Sequence, residues 1–177
     1  MDKLEQLRFP VGKFHTPKEF SEQDIANWKQ TISDFSDKID IFLKSIDSSQ
    51  LRTPYRENGW NGFQVIHHCA DSHMNAYIRF KLGMTEDAPE IRPYFEDRWA
   101  ELPDATTENL EDSLMILKGL HRRWVIVLNS TEYDDFNRSI VHPEYGRKYN
   151  LAQLLAMYAW HCNHHYAHLE LIKKSFE

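Results

Sequence analysis

Apolar side chains return every three or four residues through four long stretches of this 177-residue chain, and that period confines it to a helical architecture. From Ser21, the series Ile25, Trp28, Ile32, Phe35, Ile39, Phe42 and Ile46 marks a helix of about six turns, with Ser21 and Asp24 spaced as a capping box. A second starts at Asn61, with Gln64 three residues on, and carries Ile66, Cys69, Ala70, Tyr77 and Phe80 on one face until Gly83 is expected to stop it. A third runs from about Thr107 through Leu110, Leu114, Leu117, Trp124 and Leu128, with His121 on the apolar stripe as an expected core histidine. The fourth opens at Asn150, again followed by Gln at the third position, and continues through Leu154, Tyr158, His161, His165, His168 and Ile172. Four amphipathic helices bury their stripes by closing on one another, so the expectation is an all-α, single-domain four-helix bundle over residues 1–177.

The connections carry turn residues. Pro54, Asn58 and Gly59 place a turn just ahead of Trp60. The stretch from Met84 to Asp104 contains Pro89, Pro93 and Pro103, and its aromatics Tyr94, Phe95 and Trp99 are expected to pack on the bundle. Val141 to Tyr149, with Pro143 and Gly146, reads as a turn or short hairpin.

A chain of this size buries roughly 70% of its unfolded surface, so it needs neither a disulfide nor a structural metal to hold a core. A bound metal would therefore serve function. The formal net charge of −6, with no basic tail or patch, argues against nucleic acid. Apolar runs of only a few residues exclude a membrane-spanning helix, and Met1 to Phe14 lacks the apolar stretch of a secretory signal. Cys69 and Cys162 form no CxxC pair and read as small buried apolar residues. A cytoplasmic protein is expected.

Ten histidines are present, and seven fall in two short stretches: His67, His68 and His73, then His161, His164, His165 and His168. Residues four apart on a helix stand one above the other, about 6 Å apart, so two imidazoles in H-x-x-x-H spacing reach one ion. The last helix offers that spacing as His161/His165 and as His164/His168. The first pair lies closer to the Leu154, Tyr158, Ile172 stripe and is preferred for an inward-facing site, with His168 beside it. A third ligand is expected from the other cluster. Periodicity favours His73, nearest the Ile66, Tyr77, Phe80 stripe, over His68, which projects beside Val65 and Ala76.

The segments TPYRENGW (53–60), HHCADSHMNAYIRFKL (67–82), IRPYFEDRW (91–99), HPEYG (142–146) and WHCNHHYAH (160–168) together resemble the YfiT branch of the DinB-like bundle proteins, from FPVGKF near the start to the final helix. That resemblance implies a four-helix bundle binding one divalent metal through three histidines. It places the first ligand eight residues beyond the tryptophan that precedes the second helix, which is His68 after Trp60, and the other two at His161 and His165. Where family and periodicity differ, the family assignment is followed. The sequence departs from the family at Asn61 and Gly62, and Gly62 is expected to loosen the first turn of that helix.

Three neutral imidazoles leave an ion its full charge and at least one position for water or substrate. Zinc is the expected ion, and nickel or iron suits the same ligands. The resemblance implies metal-dependent hydrolysis of a small-molecule substrate or, as the alternative, transfer of a low-molecular-weight thiol, bacillithiol, to electrophiles, and it implies a homodimer. No HExxH motif supplies a general base, whereas a thiolate is already a nucleophile. Non-catalytic readings remain: an ion stapling helices, a metal sensor or store closed by a fourth ligand from His73, His168, Cys69 or Cys162, or a helical partner-binding module with incidental histidines. His73, His142, His168, Arg56 and Arg79 are candidates for the pocket or for orienting the ligands, and Asp71 is a candidate acceptor for an imidazole N–H.

Overall fold

The computed structural model describes residues 2–143 and 146–177; Glu144 and Tyr145 of the HPEYG segment lie outside the described residues. In chain order the helices are α1 (Lys3–Arg8), α2 (Glu22–Lys44), α3 (Gly62–Thr85), α4 (Glu96–Trp99), α5 (Pro103–Thr106), α6 (Glu111–Ser130) and α7 (Leu151–Lys174). Single 3₁₀ turns occupy Ser48–Arg52 and Tyr133–Asn137. The antiparallel hairpin β1 (Ser139–His142) and β2 (Arg147–Asn150) pairs Ser139 with Asn150 and His142 with Arg147. No helix among the described residues is long and apolar enough to cross a membrane.

Reciprocal caps start three of the four long helices. Asn61 Oδ1 accepts the Gln64 N–H at 2.9 Å while Gln64 Oε1 accepts the Asn61 N–H at 3.2 Å, and Asn150 with Gln153 repeats this at the head of α7. Ser21 and Asp24 do the same for α2. These boxes satisfy backbone donors that a helix start would otherwise leave open. The third long helix begins at Glu111 rather than near Thr107. The Thr107 and Asn109 side chains accept the N–H groups of Asn109 and Glu111, which holds 107–110 as a turn.

The four long helices form a bundle in which α7 and α6 each lie between α2 and α3. Consecutive α2 and α3 are therefore diagonal, as are α6 and α7, and the long 3₁₀-containing connections carry the chain across. Ile32, Phe35, Ile39 and Phe42 of α2, Leu117, Trp124 and Leu128 of α6, and Leu155 and Leu169 of α7 fill the interior, each contributing about 1.5–3 kcal/mol for an aliphatic or phenyl side chain fully removed from water.

Two glycines behave differently from expectation. Gly83 does not end α3, which continues to Thr85. A Cβ there would stand 2.7 Å from Leu151 Cδ2 and 3.1 Å from Ile140 Cγ2, so glycine lets α7 and β1 close on the helix. Gly62 does not loosen the first turn, because the Asn61/Gln64 box holds it. A Cβ at Gly62 would stand 2.6 Å from Leu51 Cδ2, so the glycine makes room for the first 3₁₀ turn. In the link after α3, Tyr94 packs inward while Phe95 is 61% exposed and lies under the Arg98 guanidinium.

Candidate metal centre

Side chains separated by four and seven residues return to the same face of a helix, and α3 uses this to align His68, Ser72 and Arg79, all buried. The same stripe contains Val65 and Ala76, also buried, because α3 packs against α7 on one side and α6 on the other. Both of its faces are interior, which is why nearness to the apolar stripe, which favoured His73, is a poor guide to which histidine meets the α7 pair. On α7, His161 and His165 stand one turn apart with ring centroids 4.3 Å apart. Trp60, two residues ahead of α3, packs its ring 4.6 Å from that of His68 and covers that side of the group.

The His68 and His161 Nε2 atoms are 3.1 Å apart, and one ring nitrogen from each of His68, His161 and His165 falls within 4.8 Å of the others. Two nitrogens bound at ~2.0–2.1 Å to one ion, at octahedral or tetrahedral angles, are separated by roughly 2.8–3.4 Å. The His68–His161 spacing fits that geometry. Burial, reinforced by His164, holds His68 down at about 4. Burial also pushes His161 and His165 well below the ordinary histidine range, so near neutral pH all three are uncharged and suited to donate lone pairs.

Hydrogen bonding settles which nitrogen offers the lone pair. His161 Nδ1 lies 3.1 Å from His73 Nε2, and His73 Nδ1 lies 2.7 Å from His121 Nε2. His121 Nδ1 is buried facing the Ile32 backbone without completing a hydrogen bond. A bare nitrogen facing a carbonyl would be repelled, so the proton of His121 sits on Nδ1 and the donors run outward: His161 Nδ1–H to His73, His73 Nδ1–H to His121. His161 Nε2 is left bare toward His68. This relay takes one residue from each bundle helix, α7, α3, α6 and α2. A second, shorter relay backs His165. His168 Nε2–H donates to the Arg8 carbonyl at 3.3 Å, so His168 Nδ1 accepts from His165 Nδ1–H at 3.4 Å, and His165 keeps its lone pair on Nε2.

The histidines line a cavity of about 790 Å³ walled by Tyr55, Trp60, Tyr94 and Trp160, with α1 and the segment after it contributing Arg8, Phe9 and Phe14. His168 lies in this cavity stacked on Tyr55, ring centroids 3.8 Å apart. His142 on β1 and Arg56 in the turn before α3 also line it, and the Arg56 guanidinium stands 5.4 Å from the Tyr55 ring. Arg79 reaches in from the far end of the α3 stripe, its Nη2–H donating to the Arg92 carbonyl at 2.9 Å. His73 stands behind His161 and spends both ring nitrogens on neighbouring histidines. Asp71 is not brought to this group. It faces a separate cavity of about 360 Å³ with Asp104 and Asp112, where burial first and Asp104 second raise its carboxyl to about 6. His67 in that second cavity joins Ser113 Oγ and the Thr107 carbonyl. Cys69 and Cys162 are each 1% exposed, and burial raises both thiols, which removes them as ready ligands.

Sequence reading missed Ser72, whose Oγ is 3.4 Å from His161 Nε2, and the relay role of His121. The four-residue step from His68 to Ser72 was an available signal. Nothing local announces the contacts between His121, His73 and His161, which join three helices.

The fold and site define a class: a helical bundle whose second and last long helices open a histidine-lined cavity at one side. The chain belongs to the DinB superfamily, whose profile matches residues 28–169. A Bacillus cereus (strain 03BB102) protein named "Putative metal-dependent hydrolase" is 44% identical over 171 residues, covering 97% of this chain and 98% of its own length. The protein of that name from Bacillus anthracis (strain A0248) matches to the same extent, 44% over 171 residues. The solved structure of YfiT from Bacillus subtilis, described as "a probable metal-dependent hydrolase with an unusual four-helix bundle topology", aligns with a TM-score of 0.92 at 38% identity, over 97% of this chain and 98% of that one.

Proposed function

We propose that this chain is a metal-dependent hydrolase of small molecules, with His68, His161 and His165 holding one divalent ion, zinc in the first instance and nickel or iron as chemically suited substitutes. The observation that carries the reading is the convergence of three neutral imidazoles, those of His161 and His165 with their lone pairs oriented by hydrogen bonding, beside a large cavity. Of the other candidate ligands, His73 and His168 are engaged in the relays and Cys69 and Cys162 are buried thiols, while His164, grouped with His165 and His168, lines the cavity next to the trio. An ion held by His68, His161 and His165 would lie beside the cavity within reach of a small molecule, which supports catalysis over a structural staple. A bound ion supplies Lewis acidity toward a carbonyl or a water molecule. His73 and His168 orient the ligand rings, Ser72 offers a hydroxyl beside His161, and Trp60 with Tyr55 shields the group from solvent.

One observation favours the second reading, transfer of a low-molecular-weight thiol such as bacillithiol to an electrophile. Among the described residues, the carboxylates lining the cavity, Glu96 and Asp97, are exposed and make no hydrogen bond to a histidine, so neither is poised as the carboxylate base of a water-activating site. A thiolate nucleophile needs none. The family resemblance also supports a homodimer, which light scattering reads directly.

Elemental analysis of purified wild type beside His68→Ala, His161→Ala and His165→Ala tests the ligand set: each variant is expected to lose the metal. His73→Ala is expected to keep it with affinity lowered about 10- to 100-fold, the usual cost of removing a ligand's hydrogen-bond partner. Metal retained in His68→Ala and lost in His73→Ala would reverse the assignment. Turnover of ester and amide panels, compared with thiol plus electrophile, separates the two chemistries, and a loaded protein inert to both refutes each.

A further inference from the structure

Arg79 is a buried cation, 8% exposed, with no carboxylate among the described residues within salt-bridge distance. Its protein partners are the Arg92 carbonyl at 2.9 Å, the Tyr158 hydroxyl at a long 3.5 Å, and the face of Tyr94, 5.9 Å from the guanidinium carbon. A guanidinium has five N–H donors, so most of its hydrogen-bonding capacity opens onto the cavity it lines. Taking such a charge out of water without a counter-ion is costly, and the fold retains it where a ligand can reach it. The Tyr94 and Tyr158 phenols beside it both face Ser72, and Ser72 Oγ stands 3.4 Å from His161 Nε2, so an unbroken polar strip joins Arg79 to the histidine group. The charge balance agrees. Among the described residues, a chain of net charge −6 gives this cavity three arginines, Arg8, Arg56 and Arg79, against the exposed carboxylates Glu96 and Asp97.

We propose that Arg79, assisted by the Tyr158 hydroxyl, binds a carboxylate of the substrate, so that the molecule processed here carries an anionic group a few bonds from its reacting centre. The proposal deepens the hydrolase reading and rests on it only for what lies at the other end of the strip. A carboxylate rather than a phosphate dianion matches a single guanidinium at the inner end of the strip, with aromatic walls around it.

The test uses three probes, hippurate, its uncharged amide and phenyl phosphate, titrated calorimetrically into zinc-loaded and into chelator-treated protein. Wild type is expected to bind hippurate about 10- to 100-fold tighter than the amide, the range of a charge-assisted hydrogen-bonded pair, in both preparations. Arg79→Met is expected to lose that preference while melting at the wild-type temperature or above it, because an uncompensated charge has been removed. Should Arg79→Met not fold, Arg79→Lys, which keeps the charge without the planar fork, is expected to retain only part of the preference. Equal binding of hippurate and amide by wild type, an unchanged preference in the variant that folds, or tighter binding of phenyl phosphate would overturn the proposal. A preference present only with zinc would assign the carboxylate to the ion and overturn it too. Failure of the metal reading shows separately, as zinc missing by elemental analysis while the chelator-treated protein still prefers hippurate.

Discussion

Acidifying the metal-free protein from pH 7 to pH 5 is predicted to weaken it, and His121 sets a minimum size for the effect. Its ring is 1% exposed, packed against Phe35 at 5.7 Å between centroids, and burial holds its pKa at about 4 against the ordinary 6.5. With the folded pKa depressed, the unfolded chain binds the proton more readily, so stability rises with pH through this window. The contribution is fully present above 6.5, is lost progressively as the pH falls, and stops changing once the folded form also titrates near 4. Integrated over that interval, the loss from His121 alone is about 2 kcal/mol between pH 7 and 5 and about 3 kcal/mol by pH 4. Other buried imidazoles, His68 among them, add to it in the same direction. Urea unfolding at pH 7, 6 and 5 in the presence of EDTA, with linear extrapolation, measures the change. His121→Gln keeps an acceptor for the His73 Nδ1–H and removes the titration, so its stability is expected to fall by about 2 kcal/mol less than that of wild type over the same range. Parallel curves for the two proteins, or a wild type whose stability is flat between pH 7 and 5, would refute the claim that His121 is held neutral by the fold.

Gly83→Ala drives a methyl group into Leu151 and Ile140 and is expected to cost about 1–3 kcal/mol in the same urea assay, despite the better helix propensity of alanine. Asp71 titrates in the opposite sense from His121. Its raised carboxyl binds a proton more tightly in the folded state, so the stability it contributes is present below about 4 and lost as the pH rises through about 6. Asp71→Asn is therefore predicted to be the more stable protein at pH 7.5, with a smaller difference at pH 4, read by thermal melts at the two pH values.

The four helices, their caps and the bundle they make were legible in the sequence because helical period and capping are local. Ser21 with Asp24, Asn61 with Gln64 and Asn150 with Gln153 are each three residues apart, and each pair closes as a reciprocal cap. The clustering of histidines was legible for the same reason, since His161 and His165 share a helix face by spacing alone. Tertiary structure decided what depends on contacts between distant segments. It set the order of helices around the bundle and the true use of Gly62 and Gly83. It also removed Asp71 to another cavity and lined up His161, His73 and His121 across three helices. Period ranked His73 above His68, a preference with little force because α3 is enclosed by neighbours on both sides and offers no solvent face there to tell an inward residue from an outward one. A one-dimensional pattern records which side of a helix is apolar; which partner meets that side, and at what distance two ring nitrogens come to rest, is set only when all four helices pack together.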